Sequence, residues 1–306
     1  MKLLGSRGCF GLLAIAWFTT LGCSSLSAQA GDAGGRRATS RETLSTLGVI
    51  GASQTAGFGA GVSMGKVLQA GLNFPTRLVE TASVMFFMKP LAVGEEQIQF
   101  LRRQRPTAII GLDYLFWFGY GDKDFDTRKA HLQQAFTWLE SLPGPKFIGD
   151  IPDMRGAAEY MLPTRFVPPV EQIDQLNEMI VQWAKVRPDV TLIPLSRLVR
   201  SMRSGQPAEI GGREYAADPK KVLGSDRLHA TLDGQLLLGV ACLAAFRERL
   251  PGLLDADVMT DLTQLGEAVE RRRLGLPAPE DAKPQPVPPT EESGKEESAG
   301  PKRSRR

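Results

Sequence analysis

In the middle of the chain, short apolar runs alternate with longer segments in which apolar residues recur at helical spacing. The continuous runs predict strands of a parallel sheet, because such strands are covered on both faces and lose the polar alternation of exposed strands. The predicted strands are residues 47–50, 77–83, 107–111, 146–151 and 190–194. The predicted helices are residues 62–70, 95–103, 126–142, 170–186, 232–250 and 255–274. This order predicts an α/β fold with helices on both faces of the sheet, plus a small hairpin over 209–215.

The start of the chain has the pattern of an export signal. Lys2 and Arg7 precede a largely apolar run over 12–21, and residues 28–30 read Ala-Gln-Ala, a small-residue cleavage site. We therefore expect residues 1–30 to be a signal peptide and the protein to be periplasmic or secreted. An alternative is a lipoprotein signal, with cleavage before Cys23 and a lipid anchor on that cysteine.

The rest of the chain divides by composition. A polar lead over 31–44 precedes the predicted core domain, residues 45–274, and residues 275–306 are rich in Pro, Glu, Lys and Ser. We expect this tail to be disordered, because it has too few apolar residues to offset its ordering entropy. After the signal, no run approaches the roughly 18 apolar residues of a transmembrane helix, so no membrane span is expected. Cleavage after residue 30 leaves one cysteine, Cys242, so no internal disulfide is expected.

One stretch near the start of the core carries a candidate nucleophile. The strand over 47–50 breaks at Gly51 and delivers Ser53 into a glycine-rich turn with a helix after it. Open α/β sheets place reaction sites at the carboxyl ends of their strands, and nearby helix amides favour negative charge. The alternative is a serine that only caps the helix. The nucleophile interpretation requires a histidine within reach of Ser53.

The best partner for Ser53 lies far downstream. The chain has two histidines, and one of them, His229, follows Asp226 by three residues just before a predicted helix. At that spacing the carboxylate can bind one ring nitrogen and fix the tautomer, which leaves the other nitrogen to take the serine proton. Asp226 and His229 could instead be a purely structural pair.

Together these segments resemble the SGNH (GDSL-type) hydrolase family. Its first block, Gly-Asp-Ser-x-Thr-x-Gly, is similar to residues 51–57, with Ala52 in place of the aspartate, and its last block, Asp-x-x-His, is similar to residues 226–229. The resemblance covers about residues 45–250. It implies a flavodoxin-like, three-layer α/β/α fold and a catalytic triad of Ser53, His229 and Asp226.

The middle blocks of that family are altered in this chain. The family takes oxyanion donors from a glycine amide after the second strand and from an asparagine after the third. Here Ser83 lies after the second strand and Asp113 holds the asparagine position. The remaining candidates are the amides of Ser53 and Ser83 and the side chain of Asp113. An ionised Asp113 facing the oxyanion would repel it, so this carboxyl must either be protonated or point elsewhere.

These observations favour an exported serine esterase or O-acyl hydrolase that acts on a carboxylic ester or an acylated glycan. The alternatives are a non-catalytic envelope-binding or scaffold protein of the same fold and an O-acyltransferase with the same triad. No cofactor or metal is expected, because nucleotide-binding glycine patterns are incomplete and no His or Cys cluster is present. The net charge of +3 without a basic, aromatic-rich face argues against nucleic acid. Aromatic residues after strands two and three, among them Phe87 and Trp117, line a substrate pocket or belong to the core.

Overall fold

The computed structural model describes residues 39–276. Its centre is a five-stranded parallel sheet in the order β2-β1-β3-β4-β5. The strands are β1 (Thr46–Val49), β2 (Arg77–Glu80), β3 (Ala108–Gly111), β4 (Lys146–Gly149) and β5 (Val190–Ile193). This is the flavodoxin-like strand order. The predicted α/β class and parallel sheet are therefore confirmed.

Ten helices accompany the sheet within the described residues. They are α1 (Ser40–Thr43), α2 (Met64–Gly71), α3 (Pro90–Gln104), α4 (Phe116–Gly119), α5 (Phe125–Glu140), α6 (Val170–Lys185), α7 (Leu195–Ser204), α8 (Pro219–Val222), α9 (Leu232–Arg249) and α10 (Leu262–Arg273). Helices α2, α9 and α10 pack together as one layer, and α3, α5 and α6 pack side by side as the other. The predicted hairpin is present as β6 (Ala208–Ile210) and β7 (Arg213–Tyr215), which pair antiparallel.

The core lies between the sheet and the two helical layers. Strands β3 and β4 are buried along their whole length, as expected for central strands of a parallel sheet, and the buried Lys146 at the start of β4 pairs with Asp189. Between α9 and the sheet, the ring of Phe246 lies 4.5 Å from that of Phe147 on β4. Between α5 and α6, the rings of Phe136 and Trp183 stack at 4.5 Å. One aromatic contact thus joins a helical layer to the sheet, and the other joins two neighbouring helices of the opposite layer.

The helix predicted over 62–70, after the glycine-rich turn that carries Ser53, is present as α2 and begins two residues later. Residues 52–62 form a series of turns, and α2 begins at Met64 with Ser63 as its cap, accepting from the amide of Lys66 at 3.3 Å. The glycines at 57, 59 and 61 all have positive φ, which suits turns rather than a helix. Ser53 therefore does not lie at the amino terminus of α2.

Two other helices differ from the predictions. Helix α7 was not predicted, although Leu195, Leu198, Val199 and Met202 show the apolar spacing of an amphipathic helix and Gly205 ends it in the left-handed conformation. The last predicted helix, residues 255–274, is split into a short 3₁₀ turn (Asp255–Asp257) and α10.

The ends of the chain are described only in part. The expected signal peptide, with Cys23, and the expected tail beyond residue 276 lie outside the described residues. The end of the polar lead forms α1, whose Arg41 pairs with the buried Asp257 at 2.5 Å. Within residues 39–276, no helix is both long enough and apolar enough to cross a membrane.

The contact between β4 and α9 gives a test of the fold. Phe147 has no exposed surface, so Phe147→Ala is expected to lower the free energy of unfolding by about 3–5 kcal/mol in urea titrations. Val186→Ala is the control, because Val186 is 71% exposed and its truncation is expected to change stability by less than about 0.5 kcal/mol. Equal effects of the two substitutions would contradict the described packing.

Candidate active site

The candidate site lies where the order of the strands reverses. The chain leaves β1 outward to β2 and then returns to the other side of β1 as β3, so the crevice between β1 and β3 is the switch point of the sheet. Ser53 follows the end of β1, and Asp113 follows the end of β3, with Val49 in register with Ile110. Both residues therefore reach the same crevice from adjacent strands.

The structure brings Ser53, His229 and Asp226 into one hydrogen-bonded series. The hydroxyl oxygen of Ser53 lies 2.8 Å from Nε2 of His229, and Nδ1 of the same ring lies 2.8 Å from Oδ2 of Asp226. His229 is 4% exposed, and the ring of Phe58 covers it with a centroid distance of 4.5 Å. These contacts position the imidazole to exchange a proton with Ser53.

The loop before α9 is built to hold this histidine. Arg227 has a left-handed φ of 54°, which closes a tight turn, and the amide of Gly224 donates to the carbonyl of His229 at 2.8 Å. Oδ1 of Asp226 accepts from the amides of Leu228 and His229 at 2.9 and 3.0 Å. Burial pushes the pKa of Asp226 upward, but these amides and the histidine ring outweigh burial and leave it below its usual value. Asp226 thus stays ionised beside His229.

Asp113 points toward the turn that carries Ser53. Its Oδ1 accepts from the amide of Ala52 at 2.8 Å and the hydroxyl of Thr55 at 2.5 Å. Its Oδ2 accepts from the amides of Gln54 at 3.0 Å and Thr55 at 3.3 Å. Burial raises the pKa of Asp113 above its usual value, and these four donors offset the effect of burial only in part. With both oxygens occupied by donors of the turn, Asp113 braces the turn and offers no donor to an oxyanion.

Gly51 makes this close approach possible. It has a φ of +151°, and a Cβ at this position would lie 2.2 Å from Oδ1 of Asp113 and 2.6 Å from the hydroxyl of Thr55. Relief of these contacts would require both the carboxylate and the Thr55 hydroxyl that donates to it to move. The glycine is therefore required by packing as well as by backbone conformation.

Glutamine side chains add further links that the sequence analysis missed. The amide group of the buried Gln97 makes two bonds to Gly51, accepting from its N–H and donating to its carbonyl, both at 2.9 Å. Gln54 Oε1 accepts from the amide of Ala230 at 2.8 Å, and Gln54 Nε2 donates to Gln235. The Ser53 turn is thus tied to α3 and to the loop of His229. A glutamine gives no sign in the sequence of which groups it will bind, so these residues could not be identified from the sequence.

The two serines considered as oxyanion donors differ in the structure. The amide of Ser83 donates to the carbonyl of Gly51 at 3.0 Å, which extends the pairing of β1 and β2. This amide is therefore not available to an oxyanion. The amide of Ser53 has no acceptor among residues 39–276. Of the candidates considered, the Ser53 amide is the one free to receive negative charge.

Two apolar cavities meet at Ser53 and His229. We call them the inner chamber, lined mostly by buried residues such as Leu195, Val199 and Met202, and the outer groove, lined by exposed ones such as Met85 and Phe87. Trp117 lines both cavities. The aromatic residues that follow β2 and β3 divide between the core and the cavities. Phe86, Phe118 and Tyr120 belong to the core, whereas Phe87, Phe116 and Trp117 line the cavities.

Within residues 39–276, no cluster of His, Cys, Asp and Glu could hold a metal ion. The free thiol of Cys242 is fully buried in α9, and burial raises its pKa. This thiol therefore lies outside the candidate site and is not ionised at neutral pH.

Comparisons with known proteins add the following. No family model and no curated protein sequence matches the chain. Among solved structures, BT4096, a gut microbial diltiazem-metabolizing enzyme, aligns at a TM-score of 0.46 and 14% identity over 66% of this chain and 46% of its own. LAE5, an alpha/beta hydrolase enzyme from the metagenome of Lake Arreo, Spain, aligns at a TM-score of 0.43 and 18% identity over 66% and 94% of the two chains. The functional interpretation therefore rests on the geometry of the site.

The bracing role of Asp113 can be tested by stability. Asp113→Ala leaves three backbone amides without an acceptor in a buried turn, and it is expected to lower the free energy of unfolding by about 3 kcal/mol or more. Asp113→Asn keeps one acceptor and should fall between this variant and wild type. Asp126→Ala is the control, because that side chain is 91% exposed, and it should change stability by less than about 0.5 kcal/mol. If Asp113→Ala matched the control in urea titrations, the bracing role would be excluded.

Proposed function

We propose that the protein is a serine hydrolase of the SGNH type that cleaves a carboxylic ester or the acyl ester of a glycan. The observation that carries this proposal is the unbroken series from Ser53 through His229 to Asp226, with 2.8 Å between the polar atoms at each step. A serine that only capped a helix would not need this series. The location at the switch point of a parallel sheet supports the same function.

In the proposed reaction, the Ser53 hydroxyl attacks the acyl carbon while Nε2 of His229 takes its proton. His229 then gives that proton to the oxygen of the leaving alcohol, which departs and leaves an acyl group on Ser53. Water repeats the sequence: His229 deprotonates it, and its oxygen attacks the acyl carbon. The proton then returns to Ser53 as the acid leaves. Throughout, Asp226 holds the ring in one tautomer and stabilises the imidazolium.

The oxyanion of each tetrahedral intermediate would be held by the amide of Ser53. Asp113 acts in this account as a positioning residue, because it aligns the turn and contributes no donor. Loss of one donor from an oxyanion hole typically lowers the rate by about 10²–10³. We therefore expect turnover that is slow for an enzyme of this kind.

The small number of oxyanion donors also fits a second candidate function. With Asp113 directed into the turn and the Ser83 amide bonded to Gly51, a protein that binds an envelope ligand without cleaving it would also fit. An O-acyltransferase would use the same residues, with a sugar hydroxyl replacing water as the acceptor. In each case the export signal at 1–30, or lipidation at Cys23, would place the protein outside the cytoplasm.

The proposal is tested with a fluorophosphonate probe and short-chain nitrophenyl esters. The wild-type protein is expected to be labelled at Ser53 and to hydrolyse the esters, while Ser53→Ala and His229→Ala should reduce turnover at least about 10³-fold. His131→Ala removes the other histidine of the chain, on α5, and Ser141→Ala removes an exposed serine; both should retain activity within about twofold. A wild type that neither labels nor exceeds Ser53→Ala in turnover would favour the non-catalytic protein.

A further inference from the structure

The two cavities at Ser53 differ in what they enclose. The inner chamber has a volume of about 50 Å³ and is lined mainly by buried apolar side chains. The outer groove has a volume of about 410 Å³ and opens to solvent between exposed side chains. Because both reach Ser53 and His229, an ester held at Ser53 would place one of its two halves in each cavity.

The order of the reaction steps indicates which cavity holds the acyl group and which holds the alcohol. The alcohol must leave, and water must enter, while the acyl group is still bound to Ser53. The larger groove, lined by exposed side chains, permits both movements, whereas the smaller chamber, lined by buried side chains, suits the group that remains attached. The acyl group therefore belongs in the inner chamber and the alcohol in the outer groove.

The size of the inner chamber limits the acyl group. A water-sized site needs about 10–15 Å³ of such volume, so about 50 Å³ holds roughly three to five non-hydrogen atoms. The two polar side chains beside Ser53 in the chamber are already engaged, since Asp113 binds the turn and Gln54 binds Ala230 and Gln235. The chamber thus fits a short and uncharged alkyl group.

The surface of the outer groove indicates the chemistry of the alcohol. Val84, Met85 and Phe87 are 43–50% exposed, and Tyr160, which lines the same groove, is 75% exposed. Exposed apolar groups gathered around a cavity mark a binding surface for an apolar ligand. Among the described residues that line the groove there is no Asp, Glu, Lys or Arg. A sugar would find no charged partner among these side chains and would bury less apolar surface, so it would gain less from the groove than an apolar alcohol does.

On the basis of the proposed function, we propose that the substrates are esters that join a short acyl group of about two to six carbons to an apolar alcohol. The acyl chain occupies the inner chamber, and the alcohol lies against Phe87 and Met85 in the outer groove. Acylated sugars are poor substrates of this site.

The acyl half is tested with nitrophenyl acetate, butanoate and octanoate. We expect kcat/KM to rise about fourfold per methylene from acetate to butanoate and to fall at least tenfold at octanoate. Met202→Ala enlarges the chamber and should raise the octanoate-to-butanoate ratio at least tenfold. Val199→Phe fills it and should shift preference toward acetate, so the two variants test the assignment in opposite directions. Wild-type preference for octanoate would overturn the proposal.

The alcohol half is tested with 2-phenylethyl butanoate and 6-O-butanoyl-glucose, which share an acyl group and a primary alkyl alcohol. We expect kcat/KM for the phenylethyl ester to exceed that for the sugar ester at least 30-fold. Phe87→Ser should lower the phenylethyl value about tenfold and the sugar value by less, so that the ratio of the two values falls at least about fivefold. Val186→Ser, an exposed apolar residue outside the groove, should change neither.

Fluorophosphonate labelling of Ser53 distinguishes failure of the substrate assignment from failure of the proposed function. Labelled protein that prefers the sugar ester, or that shows no effect of Phe87→Ser, would overturn the substrate assignment and leave the hydrolase intact. Protein that neither labels nor hydrolyses any of these esters would overturn the proposed function and the assignment with it.

Discussion

The geometry of the site depends on one buried carboxylate. Asp113, at the end of β3, accepts from the amides of Ala52, Gln54 and Thr55 and so fixes the turn that presents Ser53. Without these bonds, a turn of small residues could hold the Ser53 hydroxyl in many directions. The 2.8 Å contact with His229 would then form in only a fraction of the conformations of the turn. The close approach also determines residue 51, because any side chain there would meet the carboxylate.

This constraint has a chemical consequence. In the proposed reaction, the carboxylate that fixes the turn of Ser53 supplies no hydrogen-bond donor to the oxyanion, so it aligns Ser53 without stabilising the transition state. The surroundings of Ser53 are otherwise apolar on both sides, with a small chamber lined by buried side chains and a larger groove lined by exposed ones. Such a site would select its substrate by shape and hydrophobic burial rather than by hydrogen bonds.

Periodicity in the sequence located the sheet and most of the helices, because buried parallel strands and amphipathic helices leave strong patterns. Helix α7 carried the same pattern and was overlooked. The pairing of Ser53 with Asp226 and His229 could be predicted because the chain has so few histidines. The direction of Asp113 could not, because a carboxylate after a strand gives no sign of which amides it will bind. The roles of Gln97 and Gln54 could not be predicted either, because they depend on tertiary contacts alone.

The most direct test of this account is a crystal structure of the phosphonylated protein, in which the phosphoryl oxygen stands in for the oxyanion. The account predicts that this oxygen lies about 2.7–3.1 Å from the amide nitrogen of Ser53, while Asp113 keeps its bonds to the amides of Ala52 and Gln54. A phosphoryl oxygen bound by a protonated Asp113, or by the amide of Ser83, would contradict it. A phosphonate attached to any residue other than Ser53 would contradict it more broadly.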